Sequence, residues 1–207
     1  MTYTTRVVYL ESRGHNRKAR VLDCTIPILL TDSKEKYLEK HQTEFEKRFI
    51  NSFIWWSKGG ANTSDTLKKV KLRFDQKTKA NKSYTVYVYL GTCDLTKLNT
   101  DGLIELRSRD ETIVAEITAK SKELSHFLIS KGCHVIFLQI PYYSIAKWNK
   151  ERGQQAQQLE EKSIEEDKIL IKLIDTLNSK LNTLNTGRTP IFNKDLQKAG
   201  HTSGVVA

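Results

Sequence analysis

The chain has 207 residues, with 34 Lys and Arg against 24 Asp and Glu, and a formal net charge of +10. Its three prolines and ten glycines exclude collagen-like, elastic and Pro-rich linker proteins. No run approaches the roughly 18 apolar residues that span a bilayer, and recurring apolar runs exclude a disordered chain. We expect a basic arm or β-hairpin in residues 1–25 and an α/β domain in residues 26–207.

Apolar runs alternate with helical patterns along the chain, starting after two short β-rich runs in the arm. Strands are predicted at Ile26–Leu30, Phe53–Trp56, Tyr84–Leu90 and Val135–Ile140. Helices are predicted at Lys34–Phe49, Thr66–Phe74, Asp110–Lys131 and Glu160–Leu184. Asn62–Asp65 is typical of a helix N-cap, and the polar stretch 148–166 predicts an exposed loop followed by the first turns of the last helix. This order predicts a doubly wound, mostly parallel sheet sandwiched by helices, of the flavodoxin-like type.

Three predicted strands end in small, polar, turn-forming residues: Asp32-Ser33, Gly59-Gly60 and Gly91-Thr92-Cys93-Asp94. In an open α/β sheet, ligands bind beyond the carboxyl ends of the strands. A serine at the start of a helix gains from the helix dipole, and turns with free N–H groups favour an oxyanion hole. We expect Asp94 either to cap a turn or to bond to the Ser33 loop. Tyr142-Tyr143 is expected to line this cleft or to pack over a strand end.

These segments resemble the sequence blocks of the SGNH, or GDSL-type, hydrolases, and the resemblance covers about residues 26–196. Asp32-Ser33 resembles the block whose serine is the nucleophile, and Gly60 falls at the family's oxyanion-hole glycine. Gly91–Asp94 resembles the Gly-x-Asn-Asp block. Residues 140–149 are similar to SGNH-like domains from animal transposable-element or virus-derived reading frames. The resemblance implies an ester substrate, Ser33 as nucleophile, and an oxyanion hole made by Ser33, Gly60 and Cys93.

The chain departs from this pattern at several positions. Thr31 stands where the family has a glycine, and Cys93, a weak S–H donor, replaces the oxyanion-hole asparagine. The closing Asp-x-x-His block is absent, and Asp195 and His201 are the late residues left to orient and supply a general base. A serine without a base is a poor nucleophile. Two explanations stay open: the natural chain continues to a histidine block, or the domain has abandoned hydrolysis.

The cysteines and histidines indicate the cellular compartment and whether a metal ion is expected. Cys24, Cys93 and Cys133 form no Cys-x-x-Cys pair, which argues against a disulfide framework and a zinc ribbon. The N-terminus has no secretory signal pattern. The histidines form no spaced pair that favours a metal ion. We therefore expect a cytoplasmic or nuclear protein without metal or other cofactor.

Clustered basic residues predict an alternative function. Such clusters are most often solvated surface, but they also contact phosphates. The alternative is a non-catalytic module that binds nucleic acid or protein, or a structural component of a mobile-element or viral assembly, with no membrane partner and an undefined oligomeric state. The residues concerned are Lys68, Lys69, Lys71, Arg73, Lys77, Lys79 and Lys82, with Arg17, Lys18 and Arg20 in the arm.

Overall fold

The structure, a computed structural model, describes residues 25–32, 54–79, 82–153 and 157–185. The predicted basic arm and the predicted helix at residues 34–49 lie outside these residues. The described elements, in chain order, are β1 (Ile26–Thr31), β2 (Ile54–Ser57), α1 (Thr63–Lys77), β3 (Tyr84–Tyr89), α2 (Thr92–Leu95), β4 (Thr96–Leu98), β5 (Ile104–Leu106), α3 (Thr112–Ser130), β6 (His134–Phe137), α4 (Ile145–Glu151) and α5 (Gln157–Leu184).

Four parallel strands form the main sheet, in the order β2-β1-β3-β6. Residues in register share a face because side chains alternate along a strand, and Leu30 pairs with both Trp56 and Val88. Each strand corresponds to one of the apolar runs in the sequence. The predicted fold class, a mostly parallel sheet flanked by helices, is therefore confirmed.

One face of the sheet packs against α1, α3 and α5. The ring of Trp56 meets Phe74 of α1 edge-on, with ring centroids 5.7 Å apart, and Phe74 in turn meets Phe127 of α3 at 6.0 Å. The long helix α5 packs beside α3 and contributes a buried stripe at spacings of three and four residues. Its members are Leu170, Leu173, Ile174, Leu177 and Leu181. No described helix combines the length and apolar composition that crossing a bilayer requires.

Two buried asparagines, Asn178 of α5 and Asn185 directly after it, bond to the backbone of β6 and of the segment that follows β6. The side-chain amide of Asn185 accepts from Phe137 N at 2.7 Å and donates to Phe137 O at 2.8 Å. Asn178 does the same for Ile140, at 2.7 and 2.9 Å. The backbone groups of Phe137 point away from β3, because the N–H of the next residue, Leu138, bonds to β3. The Asn185 amide thus takes the place of a neighbouring strand at Phe137, and the Asn178 amide pairs the backbone of Ile140 beyond the end of β6.

Two features were missed in the sequence. The hairpin of β4 and β5 is antiparallel, with Thr96 paired to Leu106. The prediction of an exposed loop from residue 148 is wrong, because residues 145–151 form α4. Ser144 caps α4 by accepting from Lys147 N, and it donates to Asp167 of α5 at 2.7 Å. A partner 23 residues away holds this cap in place.

We predict that Asn178→Ala lowers the free energy of unfolding by about 2–4 kcal/mol, because it leaves a buried N–H and a buried C=O of Ile140 unpaired. Urea unfolding followed by circular dichroism measures the change. Ser179→Ala, at the exposed neighbouring residue, is the matched control and should stay within about 0.5 kcal/mol of wild type. Equal losses in the two variants would contradict the role given to the amide.

Candidate functional site

The loops after β1, β2 and β3 leave the sheet at its carboxyl-terminal end, since the three strands are parallel neighbours. This end of the sheet is called the site edge below. Thr31, the last residue of β1, is in register with Ser57 of β2 and Tyr89 of β3. Asp32 follows β1 and is fully buried. The candidate nucleophile Ser33 lies outside the described residues. The described backbone thus runs up to the residue before Ser33, at the same end of the sheet as the last residues of β2 and β3.

A carboxylate clamp joins the loop after β3 to the start of α1. Both carboxylate oxygens of Asp94 accept from Thr63 N at 3.0 Å, and one also accepts from the Thr63 hydroxyl at 2.9 Å. Thr63 is the first residue of α1, where backbone N–H groups lack helical partners and negative charge is favoured. Asn62, as predicted, is the N-cap and accepts from Asp65 N. Asp94 thus bonds to the start of α1, a partner that neither of its two expected roles named, and a bond to the Ser33 loop stays a prediction.

The clamp lies in a region of buried negative charge. Burial raises the pKa of Asp94 above its ordinary value, and the nearby charge of Asp32 acts in the same direction. The hydrogen bonds from Thr63 and the charge of Arg107 oppose this rise. Arg107 also ties the loop, since its Nε donates to Cys93 O at 2.9 Å. Arg107 reaches the site from the missed hairpin, so no local pattern indicated it.

Tyr143 closes the same edge from the segment after β6. Its hydroxyl donates to Thr92 O at 3.3 Å and lies 3.2 Å from the Thr96 hydroxyl. Burial raises the pKa of Tyr143, and the charges of Cys93 and Asp32 add to the rise. Tyr143 therefore holds its proton at neutral pH and acts as a hydrogen-bond donor. These contacts show Tyr143 packed against the segment that follows β3, and the lining of a cleft by Tyr142-Tyr143 stays a prediction.

Glycines at two of the loops are required for different reasons. Gly91 has φ of +128°, and a Cβ there would lie 2.3 Å from Cδ1 of Ile140. Gly60 has φ of +74° in an exposed turn, where no atom within 4 Å would meet a Cβ. Gly91 thus lets the β3 loop pass close to the end of the β6 segment, whereas Gly60 serves the turn itself.

The other predicted catalytic groups are divided between described and undescribed residues. Cys93 is half-buried in the first turn of α2 at the site edge and forms no disulfide. Asp195 and His201 lie outside the described residues. Within the described ranges, His126 is exposed on α3 and His134 begins β6 at the opposite edge, so neither reaches the site. The described residues also hold no cluster of three or more metal-ligating side chains.

The basic run is split by the structure into separate surfaces. Lys71 pairs with Glu123 at 2.8 Å, and Lys68 is exposed on α1. Lys79 and Lys82 lie exposed in the connection from α1 to β3. Arg17, Lys18 and Arg20 lie outside the described residues. The remaining members of the run, Lys69, Arg73 and Lys77, line a cavity together with Lys58.

Comparisons with known proteins identify solved structures with a similar fold. No protein-family model and no curated protein sequence matches the chain. A lipase/acylhydrolase from Enterococcus faecalis is similar with a TM-score of 0.50 and 18% identity, over 86% of this chain and 80% of that protein. A protein from Bacteroides fragilis described as a candidate acylhydrolase has a TM-score of 0.50 and 16% identity, over 82% and 67%. A GDSL-like lipase from Bacteroides thetaiotaomicron has a TM-score of 0.47 and 16% identity, over 79% and 64%.

These similarities confirm the resemblance to the SGNH, or GDSL-type, hydrolases at the level of the fold. The chain has the α/β fold of those lipases and acylhydrolases. A mobile-element or viral origin, by contrast, stays a prediction from the sequence.

We predict that Gly91→Ala lowers the free energy of unfolding by roughly 2–4 kcal/mol, because it combines a strained φ with overlap against Ile140. Gly59→Ala is the matched control, since a Cβ there meets nothing within 4 Å, and it should change stability little. Thermal and urea unfolding measure both. A Gly91→Ala variant as stable as Gly59→Ala would show that the loop does not pass this closely.

We predict that wild type loses stability relative to Asp94→Asn as pH rises from about 4 to about 7. The raised pKa means that the folded state holds the Asp94 proton to higher pH than the unfolded chain. Ionisation therefore costs folding free energy above the ordinary value of 3.8, and asparagine does not titrate. Urea unfolding at several pH values gives the difference, with Asp65→Asn as the exposed control on the same helix turn. A relative gain in wild-type stability with pH would reverse the sign and refute the buried-charge account.

Proposed function

We propose that this protein is an ester hydrolase in which Ser33 is the nucleophile. One observation carries the proposal: the backbone leading to Ser33, the turn of Gly60 and the Asp94–Thr63 clamp lie at one sheet edge. The similarity of the fold to solved acylhydrolases supports it. Asp32, adjacent to Ser33, is close enough to raise the pKa of Asp94, so the β1 and β3 loops are neighbours at this edge.

In the proposed reaction, the Oγ of Ser33 attacks the ester carbonyl and its proton passes to His201. The N–H groups of Ser33 and Gly60 donate to the oxyanion, and the thiol of Cys93 is a weak third donor. His201, oriented by Asp195, then protonates the leaving alcohol. A water molecule activated by the same histidine releases the acid from the acyl-enzyme.

Asp94 serves this site by positioning and not as the base. Both of its oxygens accept hydrogen bonds from Thr63, so the carboxylate is committed to the N-terminus of α1. Through this bond the β3 loop, which carries Cys93, and the β2 loop, which carries Gly60, hold a fixed spacing. Fixed spacing matters because oxyanion donors act only within about 2.7–3.1 Å of the developing charge.

We predict that a fluorophosphonate probe labels the protein and that Ser33→Ala abolishes both labelling and hydrolysis of a short-chain aryl ester. The loss of hydrolysis should be on the order of 10⁴ or more. Ser130→Ala, which removes an exposed hydroxyl at the end of α3, is the control and should retain both. No labelling at any pH, or labelling that survives Ser33→Ala, would falsify the proposal.

Cys93→Asn tests the oxyanion hole separately. An amide is a stronger donor than a thiol, and one such donor is typically worth about 10²–10³ in rate. We expect ester hydrolysis by Cys93→Asn to rise roughly tenfold or more. Cys133→Asn is unsuited as a control because Cys133 is buried, so Cys93→Ser provides the comparison. Unchanged or reduced activity in Cys93→Asn would remove Cys93 from the oxyanion hole.

The alternative function, nucleic-acid or protein binding without hydrolysis, stays a prediction. Part of the positive charge on α1 and its surroundings is neutralised locally. Lys71 pairs with Glu123, and Lys131 of the α3 end pairs with Asp75. These pairs reduce the charge that this surface presents to a polyanion, and ester hydrolysis is therefore the function proposed.

A further inference from the structure

A cavity of about 310 Å³ lies between strand β2 and helix α1. Its volume is at the lower end of the range for small-molecule sites, about 300–1,000 Å³. The cavity has a largely buried wall and a cationic rim. The wall consists of Leu30, Thr31, Trp55, Trp56, Thr66 and Val70, and the rim consists of Lys58, Lys69, Arg73 and Lys77.

The rim carries charge of one sign. Of the described residues that line the cavity, four are cationic and none is acidic. Three of the cations, Lys69, Arg73 and Lys77, follow one another at four-residue intervals on α1, so they share one helix face. Like charges at this spacing repel each other, and an anion between them relieves the repulsion. The rim therefore favours a negatively charged occupant.

The wall supplies buried apolar surface and no opposing charge. Leu30, Trp56 and Val70 line it, and each is less than a tenth exposed. A phosphate group carries negative charge and several acceptor oxygens, so it can bond to several lysine and arginine side chains at once. One arginine and three lysines around a single space therefore suit a phosphate group.

The same wall presents aromatic surface. Trp55 and Trp56 both line the cavity, and the ammonium of Lys77 lies 5.9 Å from the centre of the Trp56 ring. Indole rings pack well against the organic part of a ligand whose charged end lies nearby. The combination fits a small organic phosphate better than a bare inorganic ion.

We propose that this cavity, defined here as the β2–α1 cavity, binds the phosphate group of a small phosphorylated molecule. It borders the candidate active site, because Thr31 directly precedes Asp32 and Lys58 directly precedes Gly59. Assignment of this phosphate to the ester substrate of Ser33 rests on the proposed function. Binding itself does not rest on it.

A polynucleotide is the less favoured ligand of these cations. Continuous strands need a track of cations and stacking surfaces along an open groove. Here Lys68 and Lys71 lie on α1 but off the cavity, and Lys71 is paired with Glu123. The four cations of the rim line a single compact space.

The test uses the full chain and pyrophosphate as the probe, followed by calorimetry and by tryptophan fluorescence. We expect saturable binding that Arg73→Gln weakens about tenfold or more, since a charge-assisted contact is lost. Lys68→Gln is the matched control: it removes the same charge from the same helix but lies off the cavity, and it should change affinity less than about twofold.

Several results would overturn the proposal. They are no saturable binding of pyrophosphate, equal weakening by Lys68→Gln and Arg73→Gln, and tighter binding of a single-stranded oligonucleotide with the same loss in both variants. Circular dichroism melts establish that each variant is folded. Ser33→Ala should bind pyrophosphate as wild type does, so that loss of hydrolysis and loss of phosphate binding are separate outcomes.

Discussion

Pairing of β1 with strands on both sides is the constraint on which the rest of this structure depends. Ladder hydrogen bonds fix β1 against β2 and β3 in a single register, and Ile28, Leu29 and Leu30 of β1 are buried. A shift of one residue would turn Leu30 away from the layer of α1, α3 and α5. Because the register is fixed, the three strands end at the same level, and their loops start as neighbours. The site is therefore a consequence of sheet packing before any of its own contacts form.

Hydrogen bonds between the loops of the site then fix the positions of those loops further. Asp94 bonds to α1, Arg107 bonds to the loop of Cys93, and Tyr143 bonds to the loop of Thr92. Each bond joins segments that are distant in the chain, and the bonds of Asp94 and Tyr143 are partly buried. Burying Asp94 has a cost, visible in its raised pKa, and the bonds from Thr63 offset part of it. Such an arrangement stabilises loop positions that the backbone alone would leave variable.

The sequence predicted the features that depend on local pattern. Apolar runs marked all four main strands, and short polar residues marked the start of α1 at Asn62. The missed elements depend on distant partners. Strand β5 is held by Asn149, whose amide bonds to both backbone groups of Ile104, and α4 is held by Asp167. No local periodicity reports such partners. For the same reason Asp94 was placed at the edge from its strand-end motif, while Arg107 and Thr63 were not anticipated.

The two asparagine amides along β6 have a consequence for how the chain behaves at high concentration. An exposed edge strand is a template on which another chain can add a strand, and this leads to domain-swapped dimers and fibrils. At Phe137 the template is already occupied by the amide of Asn185, and just beyond the strand the amide of Asn178 pairs with the backbone of Ile140. Substitution of these two asparagines during evolution would free that edge for a subunit contact.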